Sequence, residues 1–183
     1  MEPCLVCGAS AMTTTLVPAY EDASFGIPIT IHNGVFRHNC AKCGFDGVEI
    51  PDGEGLEAVI AVARLMVPVI LSGSEIRFLR KACHMTGKEF AEAVGVDNAT
   101  VSRWENREIS GSIGEVSDRT IRETVWGLLY QKTPALSIEP GFFRKMKITK
   151  YVEGNAFPQL EFERVRLKDP VRHTKSDEWD VAA

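Results

Sequence analysis

No stretch of this 183-residue chain is long and apolar enough to cross a bilayer: the longest apolar run, 56–71, is broken by Glu57, Arg64 and Pro68, whereas a spanning helix needs about 20 apolar residues. No basic segment followed by an apolar one opens the chain, so a secretory signal is not read and the cytoplasm is the expected compartment. There is no Gly-rich phosphate loop and no His/carboxylate cluster at a useful spacing, which points away from an enzyme. An aromatic-rich motif of the kind that stacks RNA bases is also missing. Internal repeats and low-complexity tracts are absent. Neither sign of charge dominates, the formal net charge being -4.

What is present is the composition of a soluble globular protein, 44% hydrophobic and 25% charged, long enough for one ordinary domain or two small ones. The acidity is uneven. Residues 1–73 hold 3 Lys and Arg against 8 Asp and Glu, whereas residues 74–108 hold 6 against 6. DNA affinity depends on local phosphate contacts and not on whole-chain charge, so the balance weakens a DNA-binding reading without excluding it.

Four of the five cysteines form two pairs, Cys4-Leu-Val-Cys7-Gly8 and Cys40-Ala-Lys-Cys43-Gly44. Two residues between thiolates let one tight turn aim both sulfurs at a single ion, and the following glycine supplies the positive φ such a turn needs. Two such knuckles complete a four-sulfur tetrahedron, the closed structural shell of Zn²⁺, which leaves no open position for catalysis. Two disulfides or a redox pair are the alternatives. A cytosolic chain argues against the first, and a second Cys-x-x-Cys would be surplus to the other. His32 and His38 read as polar hairpin residues, and Cys83 as packed and inert. Between the knuckles, extended runs at 13–20, 25–32 and 35–38 flank Asn33-Gly34, which predicts a hairpin turn there.

From Ser72 the pattern becomes helical. Ser72-Gly-Ser-Glu75 opens a first helix, capped by Ser72 or Ser74, along which Ile76, Leu79 and Cys83 recur. Thr86-Gly-Lys-Glu89 is a second capping box, opening a helix over 87–94 that ends at Gly95. Asp97 then caps a third, 98–105, with Val101 and Trp104 inward. Two short helices joined by a Gly-containing turn make a helix-turn-helix. The outer face of the third helix carries Asn98, Thr100, Ser102 and Arg103, which suit base edges and phosphates better than a merely solvated face would.

These residues resemble a family. The strings 71–80, 86–95 and Val96-Asp-Asn-Ala-Thr-Val-Ser-Arg-Trp-Glu105 look like an Xre/Cro-type helix-turn-helix. Preceded by paired cysteine knuckles, they are similar to the MqsA antitoxin family, which carries a YgiT-type zinc finger before its helix-turn-helix; the likeness covers roughly residues 1–110. The resemblance implies that Asn98, Ala99 and Arg103 face the major groove, with Arg103 able to make a bidentate contact to guanine. It places Thr86, Lys88, Thr100 and Ser102 at phosphates, and Arg80 and Glu105 in a structural ion pair. Ala99, where many relatives have a polar reader, offers only methyl contact to thymine.

The expected fold class is α+β: a zinc-bound β-hairpin module over 1–53, a helical linker over 54–71, and an all-α helix-turn-helix bundle over 72–133. A strand-rich hairpin extension over 134–168 and a flexible tail over 169–183 complete it. Leu56–Val67 reads as a helix ended by Pro68 and serving as buried linker or dimer contact. Ser117 is expected to cap a helix over 118–131. In the extension, 145–152 and 159–167 read as two strands, whose Arg144, Lys145, Lys147 and Lys150 serve either a solvated face or extra phosphate contacts.

Two functions fit. One is a homodimeric repressor of its own promoter, binding a palindrome in double-stranded DNA with half-sites about 10 bp apart, and the antitoxin of a type II toxin–antitoxin pair whose toxin binds the amino-terminal module. The other is a stand-alone phage or mobile-element regulator with no toxin. The acidic first third, suited to a basic toxin, favours the former.

Overall fold

The computed structural model describes residues 3–106, 113–132, 138–150, 159–166 and 177–181. The chain divides into two compact units, one of Met1–Asp22, Pro28–Gly53 and Gln159–Ala183, the other of Ala23–Ile27 and Glu54–Pro158.

The first unit is a mixed sheet. Strands β1 (Met12–Asp22) and β2 (Ile29–Cys40) pair antiparallel; β3 (Asp46–Glu49) pairs antiparallel with the distal half of β2. Strand β4 (Leu160–Arg166) joins the proximal half of β2 in parallel, and β5 (Asp177–Val181) pairs antiparallel with β4. Ile29, Ile31, Val35 and Phe162 are buried.

The sheet corrects the expected turn at Asn33-Gly34. Strand β2 runs straight through it: Val17 pairs with Val35 and Ala19 with His32, so Asn33 and Gly34 together oppose Pro18. Two residues facing one is a β-bulge, and Asn33, at φ 52°, takes the left-handed position that asparagine tolerates. Pro18 donates no ladder hydrogen bond, which makes this the place where an extra residue disturbs pairing least. The reversal between β1 and β2 lies at 23–28, where the Gly26 amide donates to the Ala23 carbonyl at 3.0 Å.

The extension also differs from expectation. Residues 142–145 form a short helix, because Phe143 and Met146 bury at helical spacing, and Thr149 alone bridges Val69. The first expected strand is therefore absent over 145–150; its last two residues lie outside the described residues. The hairpin is made by β4 and β5 instead. The latter falls within the segment expected to be a flexible tail, whose residues 169–176 lie outside the described residues.

The described residues of the second unit are mainly helical. Helix α1 (Gly53–Met66) buries Leu56 and every residue from Ala58 to Leu65, as a helix apolar on all sides must. Helices α2 (Gly73–Ala82), α3 (Gly87–Val94) and α4 (Asn98–Glu105) follow, then α5 (Glu115–Leu129) and α6 (Phe142–Lys145). Ile76, Leu79, Phe90, Val101, Ile121 and Val125 form their core, each 1% exposed or less. Phe25 packs edge-on against Phe78, centroids 5.9 Å apart.

Helix α5 starts one turn earlier than Ser117 suggests, with Gly114 at the cap. The reason is Asp118, which is fully buried and accepts the Leu71 amide and the Arg122 guanidinium. A second buried pair, Arg64 with Glu75, sits on α1 and α2. Between them the two arginines bind the carbonyls of Leu65, Val67, Val69 and Ile70. The extended chain around Pro68 has no helical partners for these groups, and buried carbonyls left unpaired are costly.

Candidate metal centre and nucleic-acid interface

The four cysteine sulfurs of the first unit converge, all within 4.8 Å of one another. Cys4 Sγ lies 3.7 Å from Cys43 Sγ, and Cys7 Sγ 3.8 Å from Cys40 Sγ. A tetrahedral shell with Zn–S bonds of about 2.3 Å has sulfur–sulfur edges of roughly 3.8 Å, so the cysteines fit a zinc ion. The two knuckles repeat one geometry. The Gly8 amide donates to the Cys4 carbonyl at 2.8 Å and the Gly44 amide to the Cys40 carbonyl at 2.9 Å, with φ 70° and 72° at the glycines. Strands β1 and β2 align the knuckles by pairing Met12 with Cys40, and Met12 buries with Cys4 and Cys40 beneath the site.

At the second knuckle the two thiols are pushed in opposite directions. The Cys40 thiol is lowered to about 6 by the backbone amides of Cys43 and Lys42. Cys43 accepts from the Phe45 amide, yet desolvation and the neighbouring Cys40, Cys7 and Cys4 push it up to about 12. A second negative charge beside the first is thus resisted, and a dication removes that resistance. His32 and His38 stay outside the cluster: His32 pairs with Glu161 at 3.2 Å, and His38 with Thr14 at 2.9 Å and Glu49 at 2.8 Å.

In the second unit the local code is followed closely. Ser72 and Glu75 form a capping box on α2, Thr86 and Glu89 one on α3, and Asp97 caps α4 through the Thr100 amide. Gly95 takes φ 80° after α3 and turns the chain toward α4. Arg80 donates to both Glu105 oxygens, at 2.6 and 3.0 Å, and to the Met85 carbonyl at 2.8 Å. That fork holds the end of α4 to α2 and raises the Arg80 pKa. Arg77, not anticipated from the sequence, adds bonds to the Glu105 carbonyl and to Asn106.

Asn98, Ala99, Ser102 and Arg103 are exposed along α4, and Lys88 is exposed on α3. The Asn98 side-chain Oδ1 lies 3.0 Å from where a Cβ on Gly87 would be, so glycine there lets the Asn98 side chain pack over the start of α3. Ser102 accepts from Asn106 at 3.4 Å. The hydroxyls of Thr86 and Thr100, expected at phosphates, are engaged within the domain. The Thr86 hydroxyl donates to Glu89 at 2.8 Å, and the Thr100 hydroxyl to Asp97 at 2.7 Å. A hydroxyl has one proton, so in this arrangement neither has one left for a phosphate. The two carboxylates are correspondingly lowered: Glu89 by the Thr86 amide and hydroxyl, Asp97 by the Thr100 hydroxyl and amide. Among the expected extra contacts, Arg144 pairs with Glu123 at 3.1 Å, while Lys145, Lys147 and Lys150 are exposed.

Sequence comparison agrees with this geometry. Residues 76–117 match the helix-turn-helix family model, which makes α2–α4 an Xre-type helix-turn-helix, a DNA-binding domain of transcriptional regulators. No curated protein and no solved structure matches the chain. No helix among the described residues is long and apolar enough to cross a membrane.

Proposed function

We propose that this chain is a transcriptional repressor that binds a palindromic operator as a homodimer and serves as the antitoxin of a type II toxin–antitoxin pair. Helix α4 enters the major groove, with Asn98, Ala99 and Arg103 at base edges; Lys88 and Ser102 contact phosphates. The observation that carries this reading is the exposed polar face of α4 inside a matched helix-turn-helix. The neutral charge of 74–108 means that one domain offers few phosphate contacts, so two copies on two half-sites suit it better than one. Zn²⁺ in the four-cysteine site is structural. The toxin role rests on the resemblance of the module order to MqsA-type antitoxins and on the acidic residues 1–73, which suit a basic partner.

The test is selection from a randomised duplex library by the full-length zinc-loaded chain. An inverted repeat with centres about 10 bp apart is expected, and Arg103→Ala should cost about 1–3 kcal/mol and relax one base position. Failure to enrich any sequence would refute the repressor reading. Co-purification with the product of an adjacent gene tests the antitoxin role; repression without such a partner leaves a stand-alone regulator.

A further inference from the structure

The side chains on α4 form a relay. The Asp97 carboxylate accepts the Thr100 amide at 2.8 Å and the Thr100 hydroxyl at 2.7 Å. The Thr100 oxygen in turn accepts from Arg103 Nη2 at 2.7 Å, while Arg103 Nε donates to the Ala99 carbonyl at 3.3 Å. Arginine has five N–H groups in a planar fork. Nε and the Nη2 hydrogen beside it make one edge of that fork, and this edge is engaged by α4 itself. The opposite edge keeps a hydrogen of Nη2 and those of Nη1, a parallel pair that matches O6 and N7 of guanine. Holding the guanidinium beforehand also reduces the side-chain freedom lost on binding.

We propose that Thr100 is a positioning residue for base readout: backed by Asp97, its hydroxyl holds the side edge of Arg103 against α4, so that the Nη1/Nη2 edge is the one presented to a guanine. The assignment rests on the DNA-binding reading above and replaces the phosphate contact expected of Thr100. The Asp97 bond to the Thr100 amide is a backbone bond, so the cap of α4 survives loss of the hydroxyl.

The experiment uses the full-length zinc-loaded chain and a duplex library with about 20 randomised base pairs, enough for two half-sites. Each guanine of the enriched site is then replaced singly, and wild type, Thr100→Val, Thr100→Ser and Arg103→Ala are compared on these duplexes and on an unrelated one. Thr100→Val should lose about tenfold of the guanine preference at the base pair that Arg103→Ala relaxes, within the range one bidentate pair provides. Thr100→Ser should restore it, and binding of Thr100→Val to the unrelated duplex should stay as in wild type. If Thr100→Val fails to fold, Thr100→Ala takes its place with the same expectations. Undiminished guanine preference in the variant overturns the proposal alone. So does equal weakening on every duplex with a salt slope smaller by about one, the mark of a lost phosphate contact. A wild-type chain that enriches no sequence overturns the DNA reading and this assignment with it.

Discussion

Replacing Glu75 by alanine should destabilise the helical unit far more than removing any surface charge. Its carboxylate accepts from Arg64 Nε and, at 3.0 Å, from Arg64 Nη2, and it takes the Ser72 amide at 2.7 Å. The two side chains are only 1% and 4% exposed. Truncation therefore leaves a buried guanidinium without its counter-charge, a loss of about 3–5 kcal/mol. It also removes half of the α2 capping box, worth on the order of 1 kcal/mol. Arg64 keeps carbonyl partners at Val67 and Val69, which holds the expected total to about 3–5 kcal/mol and not their sum. Arg144→Ala, in the same helical unit, breaks an ion pair whose partners are 77% and 37% exposed and should cost no more than about 1 kcal/mol. Urea unfolding followed by the far-ultraviolet helical signal reads the difference. With a slope of about 1–3 kcal/mol/M, Glu75→Ala should lower the midpoint by at least about 1 M. Equal small losses in both variants would refute the idea that the buried pair holds α1 to α2. An Arg64→Met/Glu75→Leu double variant should recover most of the loss, because two apolar groups leave no charge unpaired.

Two further outcomes are expected. Cys40→Ser, or chelation, should remove zinc and unfold the sheet around the knuckles, since such a site contributes roughly 10–16 kcal/mol in small zinc domains. The helical signal should persist, and simultaneous melting of both units would contradict the two-unit division. Acid should also weaken the helical unit in a defined window. Glu89 and Asp97 have folded pKa values below their ordinary ones, so their contribution is complete above about pH 5 and is lost as the pH falls through the lower folded values. Urea midpoints between about pH 6 and about pH 3 should fall less steeply in Glu89→Gln/Asp97→Asn than in wild type; identical slopes would show that the caps are not responsible.

The parts of this protein legible in the sequence are those set by neighbours along the chain. A capping box needs a hydroxyl and a carboxylate three residues apart, and Ser72/Glu75 and Thr86/Glu89 can be read directly. A knuckle needs two thiols, two residues and a glycine, and Gly8 and Gly44 take the positive φ this implies. Signals with two structural uses misled. Asn-Gly serves a hairpin turn or a bulge equally well, because both ask for a left-handed residue; the proline opposite it on another strand decided the matter. Ser117 looked like a cap because nothing local says that Asp118, one residue on, is buried against the Leu71 amide.

The sequence by itself therefore determined the helix-turn-helix, its caps and the cysteine pairs, since each rests on bonds between residues close in the chain. Tertiary structure alone decided which strands would pair. β4 joins β2 across more than 120 residues, with Phe162 beside Ile31, and such pairing depends on matching buried faces that no local pattern encodes. It also decided the buried arginine pairs, for Arg64 and Arg122 can be charged in the interior only where the fold delivers carboxylates and loose carbonyls to them. Along α4 both contributed. The polar face was visible in the sequence, but the bonds from Asp97 through Thr100 to Arg103 depend on rotamers, and those rotamers distinguish a side chain that touches DNA from one that aims its neighbour.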